Sequence, residues 1–210
     1  MGAEMLKNTT VVCLDLEGVL VPEIWIEVAE RTKIEGLRLT TRDISDYDVL
    51  MGKRLDLLEQ NGLTLTKIQE VISTLSPMEG AKEFLDNLRE KFQVVILSDT
   101  FYEFAKPLMK QLGWPTLFCH RLIVNEYDQV TSYHLRQKDQ KRKSVEAFQQ
   151  LNFNVIASGD SFNDISMLGA ANAGIFFCPP DAIKSQYPAF KVTYDYDALY
   201  SAILEADKHL

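Results

Sequence analysis

The sequence predicts a doubly wound α/β fold, Rossmann-like, in which a mostly parallel sheet is covered by helices on both faces. Five short segments rich in β-branched and apolar residues alternate with segments of helical spacing, and one connection is unusually long. The predicted strands are residues 10–14, 93–97, 115–119, 154–158 and 173–178. Because strands and helices alternate, the strands should be parallel, with ligands bound beyond their carboxyl ends.

The long connection follows the first strand and predicts an inserted helical unit. Its helix signals are starts at Pro22, at Thr41 with Asp43 and at residues 64–66, and a stop at Gly62. We therefore expect a small helical cap, residues 22–76, inserted into an α/β core made of residues 1–21 and 77–210.

Two further features concern the second half of the predicted sheet. Alternating runs within residues 118–136 flank residues 125–129, which predicts a β-hairpin excursion. Pro107 lies inside the helix predicted after the second strand. Because proline lacks a backbone N–H, it should kink or restart that helix.

Composition excludes several classes of protein. The chain has 210 residues, with 22 Lys and Arg against 30 Asp and Glu, so its formal charge of -8 would repel a nucleic-acid backbone. Cys13, Cys119 and Cys178 form no CxxC pair, which favours reduced thiols over disulfides or structural zinc. No signal-peptide core and no apolar run of about 18 residues occurs. We expect a soluble cytoplasmic protein without nucleic-acid or membrane partners; a homodimer is compatible with the sequence, which does not fix the oligomeric state.

Acidic side chains follow the first strand directly. Asp15 and Glu17 are two residues apart, so an extended chain would place both on one side. A polar turn that closes a strand explains such a pair taken alone. The functional alternative is a nucleophilic carboxylate beside a second carboxyl group that shuttles protons.

Three more polar motifs lie at the same predicted edge. Ser98-Asp99-Thr100 ends the second strand, where a hydroxyl and free backbone N–H groups at a strand-to-helix turn could bind an anion. Residues 159–164, which include Asp160, Asn163 and Asp164, end the fourth. The basic stretch of residues 136–143 precedes that strand. Helix caps and a solvated charged face would explain each motif singly.

The order of acid pair, serine, lysine and acid cluster resembles the four motifs of the haloacid dehalogenase superfamily of phosphotransferases. The resemblance implies that Asp15 attacks phosphorus to form an aspartyl phosphate and that Glu17 transfers the proton. Ser98, Asp99, a lysine and Asn163 would hold the substrate phosphate. Mg²⁺ would bind Asp15, the backbone carbonyl of Glu17 and Asp160, with Asp164 behind them or joined through water.

Two choices within these motifs need comment. Among Lys138, Lys141 and Lys143 we choose Lys141, because a helix starting there leaves it at the N-terminal end; Lys138 is the alternative. The superfamily's phosphatases usually have aspartate where this chain has Glu17. Glutamate keeps the carboxyl group needed for acid-base chemistry, but its extra methylene changes how far that group extends. The side chain of Glu17 is therefore a less secure metal ligand than its backbone.

The segments 15–25, 40–51 and 93–104 are similar to the bacterial phosphoserine phosphatase/homoserine phosphotransferase branch. That similarity implies phosphoserine as the phosphoryl donor and water or homoserine as the acceptor. The similarity also implies that Glu23 binds the ammonium group of the substrate and that Arg54 binds its carboxylate.

Two other functions share part of this pattern. One is a phosphatase of another small metabolite, such as a sugar phosphate. The other is a signalling receiver domain, which is commonly near half this length and needs no helical insert. The histidines His120, His134 and His209 are scattered and receive no chemical role, and Trp25 and Tyr47 are assigned to cap packing.

Overall fold

The computed structural model describes residues 8–40, 43–44 and 46–210, which form a seven-stranded sheet in the order β4-β3-β2-β1-β5-β6-β7. The strands are β1 (Thr10–Leu14), β2 (Gln93–Phe101), β3 (Thr116–Val124), β4 (Val130–His134), β5 (Asn154–Gly159), β6 (Ala173–Phe177) and β7 (Lys191–Thr193). Only the β3–β4 pair in this sheet is antiparallel. The predicted doubly wound parallel sheet with a hairpin excursion is confirmed.

Helices cover both faces of the sheet. They are α1 (Ile24–Thr32), α2 (Tyr47–Gln60), α3 (Leu65–Ser73), α4 (Ala81–Arg89), α5 (Tyr102–Gln111), α6 (Gln140–Gln150), α7 (Ile165–Ala170), α8 (Asp181–Gln186) and α9 (Tyr196–Lys208). The connection between β1 and β2 contains α1 to α4. Within it, α3 packs on α5 and α2 packs on β4, while α4 packs on α9 and β2.

The central strand shows why the sheet is buried on both sides. Val12 and Leu14 of β1 belong to one apolar cluster, whereas Val11 and Cys13 belong to another. Since side chains alternate along a strand, each cluster lies on its own face of the sheet. This explains why β1 reads as a continuous apolar run.

The topology brings three strand ends together. From β1 the chain continues to β2 and β3 on one side, and it later returns to β5 on the other side of β1. Such a reversal opens a crevice beyond the carboxyl ends of the strands. The segments that follow β1 and β5, together with the end of β2, therefore meet at this crevice.

Two predicted helix starts in the insertion need correction. Helix α2 begins at Tyr47, because the Asp46 carboxylate accepts hydrogen bonds from the backbone of Asp48 and Val49 at 3.0 and 3.1 Å. Thr41 lies outside the described residues, and Asp43 lies in a turn before the helix. The start predicted at Pro22 falls two residues before α1.

Helix α5 continues through Pro107, so the predicted restart of the helix at this proline is wrong. The carbonyl of Glu103, four residues earlier, would normally accept a hydrogen bond from the missing N–H. Instead it accepts one from Nε2 of Gln69 at 2.7 Å. Because Gln69 belongs to α3, this replacement also joins the inserted helices to the sheet domain.

Other differences concern element length. Strand β2 continues to Phe101, so Ser98 and Thr100 lie within its last residues rather than in a turn. Its pairing with β3 is irregular between Leu97 and Phe101. The three-residue β7 was not predicted. Among the described residues, no helix combines the length and apolar character needed to cross a membrane.

Candidate active site

The acid pair after β1 is fixed by backbone hydrogen bonds. Asp15 is 4% exposed, and its Oδ1 accepts a bond from the N–H of Leu16 at 2.7 Å. Oε2 of Glu17 accepts one from the N–H of Ile24, at the start of α1, at 2.9 Å. Gly18 follows with a φ of 81°, which allows the chain to turn directly after the pair.

Lys141 lies at the centre of the acidic groups. Its Nζ is 2.9 Å from Oδ1 of Asp15, 2.8 Å from Oδ1 of Asp164 and 3.9 Å from Oδ2 of Asp99. The side chain is 2% exposed, whereas Lys138 and Lys143 are exposed. Of the three lysines considered, Lys141 is the one whose ammonium contacts Asp15.

The Asp164 side chain stabilises the loop after β5 through hydrogen bonds to its backbone. Its Oδ2 accepts hydrogen bonds from the N–H groups of Asp160 and Ser161, both at 3.0 Å, and its Oδ1 accepts one from Lys141 at 2.8 Å. Asp164 is fully buried. Because both of its oxygens are engaged, it supports the cluster from behind.

The carboxylate cluster suits a divalent cation. Asp15, Asp160 and Asp164 can each offer one oxygen, all within 4.8 Å of one another. Burial raises the pKa of Asp15, with Asp164 acting in the same direction and Lys141 opposing it. Burial and then Asp164 raise the pKa of Asp160 to about 7. Since one lysine cannot neutralise three close carboxylates, a hard cation with oxygen ligands fits this donor set.

The surroundings of Glu17 suit a group that can exchange a proton. Burial, followed by the neighbouring carboxylate of Glu23, raises the pKa of Glu17 to about 7, although its hydrogen bonds with Ile24 and Thr100 oppose this. A carboxyl group with such a pKa exchanges a proton near neutral pH. Glu23 itself is exposed at the start of α1.

The end of β2 supplies a second group of polar side chains. Ser98 is buried, and its hydroxyl accepts a hydrogen bond from the N–H of Thr100 at 3.3 Å. Asp99 Oδ2 accepts one from Nδ2 of the exposed Asn163 at 3.3 Å. Burial acts to raise the pKa of Asp99, but Lys141 above all holds it well below its usual range.

Arg54, in α2, places a positive charge near Glu17 and Glu23. It is 6% exposed, stacks over the Trp25 ring at 4.5 Å and donates to the carbonyl of Leu39 at 2.7 Å. Within the described part of the chain it forms no salt bridge, and its buried Nε has no partner. Burial lowers its pKa to about 10, against the raising effect of Tyr47, Glu17 and Glu23. The guanidinium therefore lies near the carboxylates of Glu17 and Glu23 without forming a salt bridge to either.

Some residues at this site were not predicted from the sequence. Thr100 contacts Glu17, and Tyr47 lies near Asp99 and Arg54. Thr100 is two residues after Ser98, so strand alternation could have indicated it. No local signal marks Tyr47, which was assigned to packing only, because its position depends on how α2 meets the sheet.

The chain was compared with known proteins. The family model for haloacid dehalogenase-like hydrolases matches residues 9–172. A phosphoserine phosphatase of Pseudomonas syringae pv. tomato is 62% identical, over 93% of this chain and 83% of the relative. Phosphoserine phosphatase ThrH of Pseudomonas aeruginosa is 59% identical, over 93% of this chain and 96% of the relative.

A solved structure gives the same result. A phosphoserine phosphatase crystallised in its apo form superposes with a TM-score of 0.69 at 25% sequence identity, covering 86% of this chain and 90% of that one. The resemblance seen in the four motifs is thus confirmed over most of the chain. The chain belongs to the haloacid dehalogenase-like hydrolases.

Proposed function

We propose that the protein is a Mg²⁺-dependent phosphoserine phosphatase that works through an aspartyl phosphate on Asp15. Two relatives named as phosphoserine phosphatases are 62% and 59% identical to it over 93% of the chain. The observation that carries the proposal is Arg54, a buried guanidinium near Glu17 and Glu23 that forms no salt bridge in the described residues. A substrate carboxylate would provide the ion-pair partner that this guanidinium lacks in the described residues.

The nucleophile is the Asp15 oxygen that accepts no hydrogen bond within the described part of the chain. Its Oδ1 already accepts hydrogen bonds from Leu16 and Lys141, so we assign the attack on phosphorus to Oδ2. Lys141 offsets the negative charge that the phosphoryl group brings to this buried site. Ser98 and Asn163 are assigned to the phosphoryl oxygens, and Asp99 supports the phosphate site from the end of β2.

Glu17 moves the proton in both half-reactions. It protonates the leaving serine oxygen, and it then takes a proton from the water that attacks the aspartyl phosphate. The raised pKa of Glu17, about 7, supports both directions of transfer. Its bond to the N–H of Ile24 fixes the carboxyl group at the entrance to α1.

Asp15, Asp160 and the backbone carbonyl of Glu17 would hold Mg²⁺, with Asp164 behind them. The metal would supply neutralisation of the phosphoryl oxygens and of the crowded carboxylates. Gly18 supports this assignment, because a Cβ there would lie 2.5 Å from the Asp160 carboxylate.

Recognition of the amino-acid part is assigned to the cap. Arg54 would bind the carboxylate of phosphoserine, and the Glu23 carboxylate would accept hydrogen bonds from its ammonium group.

The domain bounds remain a proposal, with residues 22–76 as the cap and residues 1–21 and 77–210 as the core. We also infer a cytoplasmic location, given three thiols without a disulfide, and the choice between a monomer and a homodimer is open to direct mass measurement.

A panel of phosphate esters tests the substrate. With Mg²⁺ present, phosphoserine should have a kcat/KM at least about a hundredfold above those of sugar phosphates, because only phosphoserine engages both Arg54 and Glu23. Equal values would favour the alternative, a phosphatase of another small phosphorylated metabolite. Phosphothreonine is the matched control, since it retains the amino-acid part.

Homoserine is proposed as a second acceptor. It shares with serine the carboxylate and ammonium that Arg54 and Glu23 would hold, and its hydroxyl could replace water at the aspartyl phosphate. Phosphoserine and Mg²⁺ should be incubated with and without L-homoserine, and the products identified by NMR. Phosphohomoserine would establish transfer, whereas inorganic phosphate alone would restrict the protein to hydrolysis.

A further inference from the structure

A buried histidine lies behind the phosphate side of the site. His120 on β3 is 3% exposed, and its Nε2 lies 3.5 Å from Oδ1 of Asp99. The backbone N–H of Arg136 donates to Nδ1 of the same ring at 3.1 Å. Because Nδ1 accepts this bond, the hydrogen-bond network assigns the ring proton to Nε2, which faces Asp99. His120 is therefore held as a donor toward the Asp99 carboxylate.

Asp99 connects this histidine to the groups nearest the nucleophile. Its Oδ2 accepts a hydrogen bond from Asn163 at 3.3 Å and lies 3.9 Å from Nζ of Lys141. Lys141 in turn lies 2.9 Å from Asp15. A displacement of the Asp99 carboxylate would thus change the surroundings of Lys141 and Asn163 directly.

A second support reaches Asp99 from α6. Nε2 of Gln140 donates to the carbonyl of Ser98 at 2.8 Å and to Oδ1 of Asp99 at 3.3 Å. Oε1 of Gln140 accepts a bond from the Arg136 guanidinium at 2.6 Å. Arg136 therefore orients both supports, His120 through its backbone and Gln140 through its side chain. Outer hydrogen bonds of this kind set the orientation of the groups that bind a ligand.

We propose that His120 is a positioning residue for phosphoryl binding: by holding the Asp99 carboxylate, it fixes the Lys141 ammonium and the Asn163 amide. This rests on the phosphate-binding roles given to those two residues in the proposed function. Without His120, the Asp99 carboxylate keeps the hydrogen bond from Gln140 and is free to turn toward Lys141. Its negative charge would then compete with phosphate for that ammonium.

The test compares H120L and H120Q with L122A. Leu122 is a buried core residue of the same strand and lies outside the hydrogen-bond network, so L122A controls for loss of stability. The measurement is the inhibition constant of inorganic phosphate against hydrolysis of p-nitrophenyl phosphate, since this constant is independent of the folded fraction. We expect it to rise about tenfold in H120L and to stay within about twofold in H120Q, whose amide can donate to Asp99, and in L122A.

An inhibition constant that H120L leaves unchanged, or that H120L and H120Q raise equally, would overturn the inference. If H120L does not fold, H120N makes the same comparison, because its shorter amide is polar but does not reach Asp99. Hydrolysis of p-nitrophenyl phosphate but not of phosphoserine would refute the proposed substrate and leave this test intact. If neither ester is hydrolysed, the proposed function fails, and calorimetry of inorganic phosphate binding to the same variants decides the role of His120.

Discussion

Arg54 is a buried cation that forms no salt bridge in the described part of the chain, and this is why we propose it as a substrate-binding residue. A guanidinium that is 6% exposed normally pairs with a carboxylate, yet this one stacks on Trp25 and bonds to a backbone carbonyl. Such an arrangement keeps the cation rigid while leaving part of its hydrogen-bonding capacity for a ligand.

Replacing Arg54 separates substrate recognition from chemistry. In R54A, the KM for phosphoserine should rise about thirtyfold, equivalent to about 2 kcal/mol for a lost charged hydrogen bond. The KM for p-nitrophenyl phosphate, which has no carboxylate, should change less than about twofold. R38A is the matched control, because Arg38 is an exposed arginine already paired with Glu30 and Glu35. Equal changes for both substrates would remove Arg54 from the substrate site.

Replacing glycine by alanine should have opposite effects at Gly18 and at Gly52. Gly18 has a φ of 81°, and a Cβ there would lie 2.5 Å from the Asp160 carboxylate; Gly52, inside α2, has nothing within 4 Å of its Cβ position. G18A should lower kcat at least about tenfold at saturating substrate, because the Asp160 carboxylate must move. G52A should keep kcat and gain up to about 1 kcal/mol of stability from helix propensity. A fully active G18A would contradict the geometry of this loop.

Most of the residues proposed from the sequence lie together at the crevice, whereas the residues that hold them in place were not proposed. Lys141 could be chosen because helical spacing from Val145 and Phe148 places it at a helix start. His120 could not be found, because its partner Asp99 is on another strand and the contact depends on the broken pairing between β2 and β3. Pairs distant in the chain leave no periodic signal.

At the scale of elements, the hairpin is tied to the inserted helices. The turn residue Asp128 accepts hydrogen bonds at the start of α3, from the N–H of Leu65 to its carbonyl at 2.8 Å and from the N–H of Thr66 to its carboxylate at 2.9 Å. This cap comes from another part of the chain, so capping signals within residues 64–66 could not reveal it. Likewise, Gln69 explains why Pro107 leaves α5 intact.

The Asp128 cap should contribute to stability in a pH-dependent way. D128A should lower the urea midpoint at pH 7, whereas D128N, which can accept the same bond and tolerates its φ of 63°, should lower it less. The bond with Thr66 lowers the pKa of Asp128 below 3.8, so its stabilisation is complete above that pH and is lost as the pH falls through the lowered value. A D128A midpoint equal to that of the unaltered protein at pH 7 would show that the carboxylate does not act as a cap.

At the scale of the whole molecule, the apolar pattern predicted the architecture because both faces of the sheet are buried. The three-residue β7 escaped prediction because its pattern is too short to be distinguished from a loop. The order of strands follows from packing rather than from local sequence, and it is this order that brings β1, β2 and β5 together at one crevice.

Metal binding should be visible in the stability of the whole chain. At a hundredfold excess over its Kd, Mg²⁺ should raise the melting temperature by about 5 °C or more relative to EDTA. D160N should melt higher than the unaltered protein in EDTA, because one of three close carboxylates is neutralised, and should lose most of the response to Mg²⁺. Differential scanning calorimetry measures both; an unchanged Mg²⁺ response in D160N would exclude Asp160 as a ligand.

The covalent step on Asp15 is the central claim, and rapid-quench mass spectrometry tests it most directly. During turnover of phosphoserine with Mg²⁺, one PO₃ unit should be found on the peptide that contains Asp15. The adduct should be absent in D15N, which should fold normally but not turn over, because its amide is no longer a nucleophile. Turnover without any adduct on that peptide, or activity retained in D15N, would contradict the account.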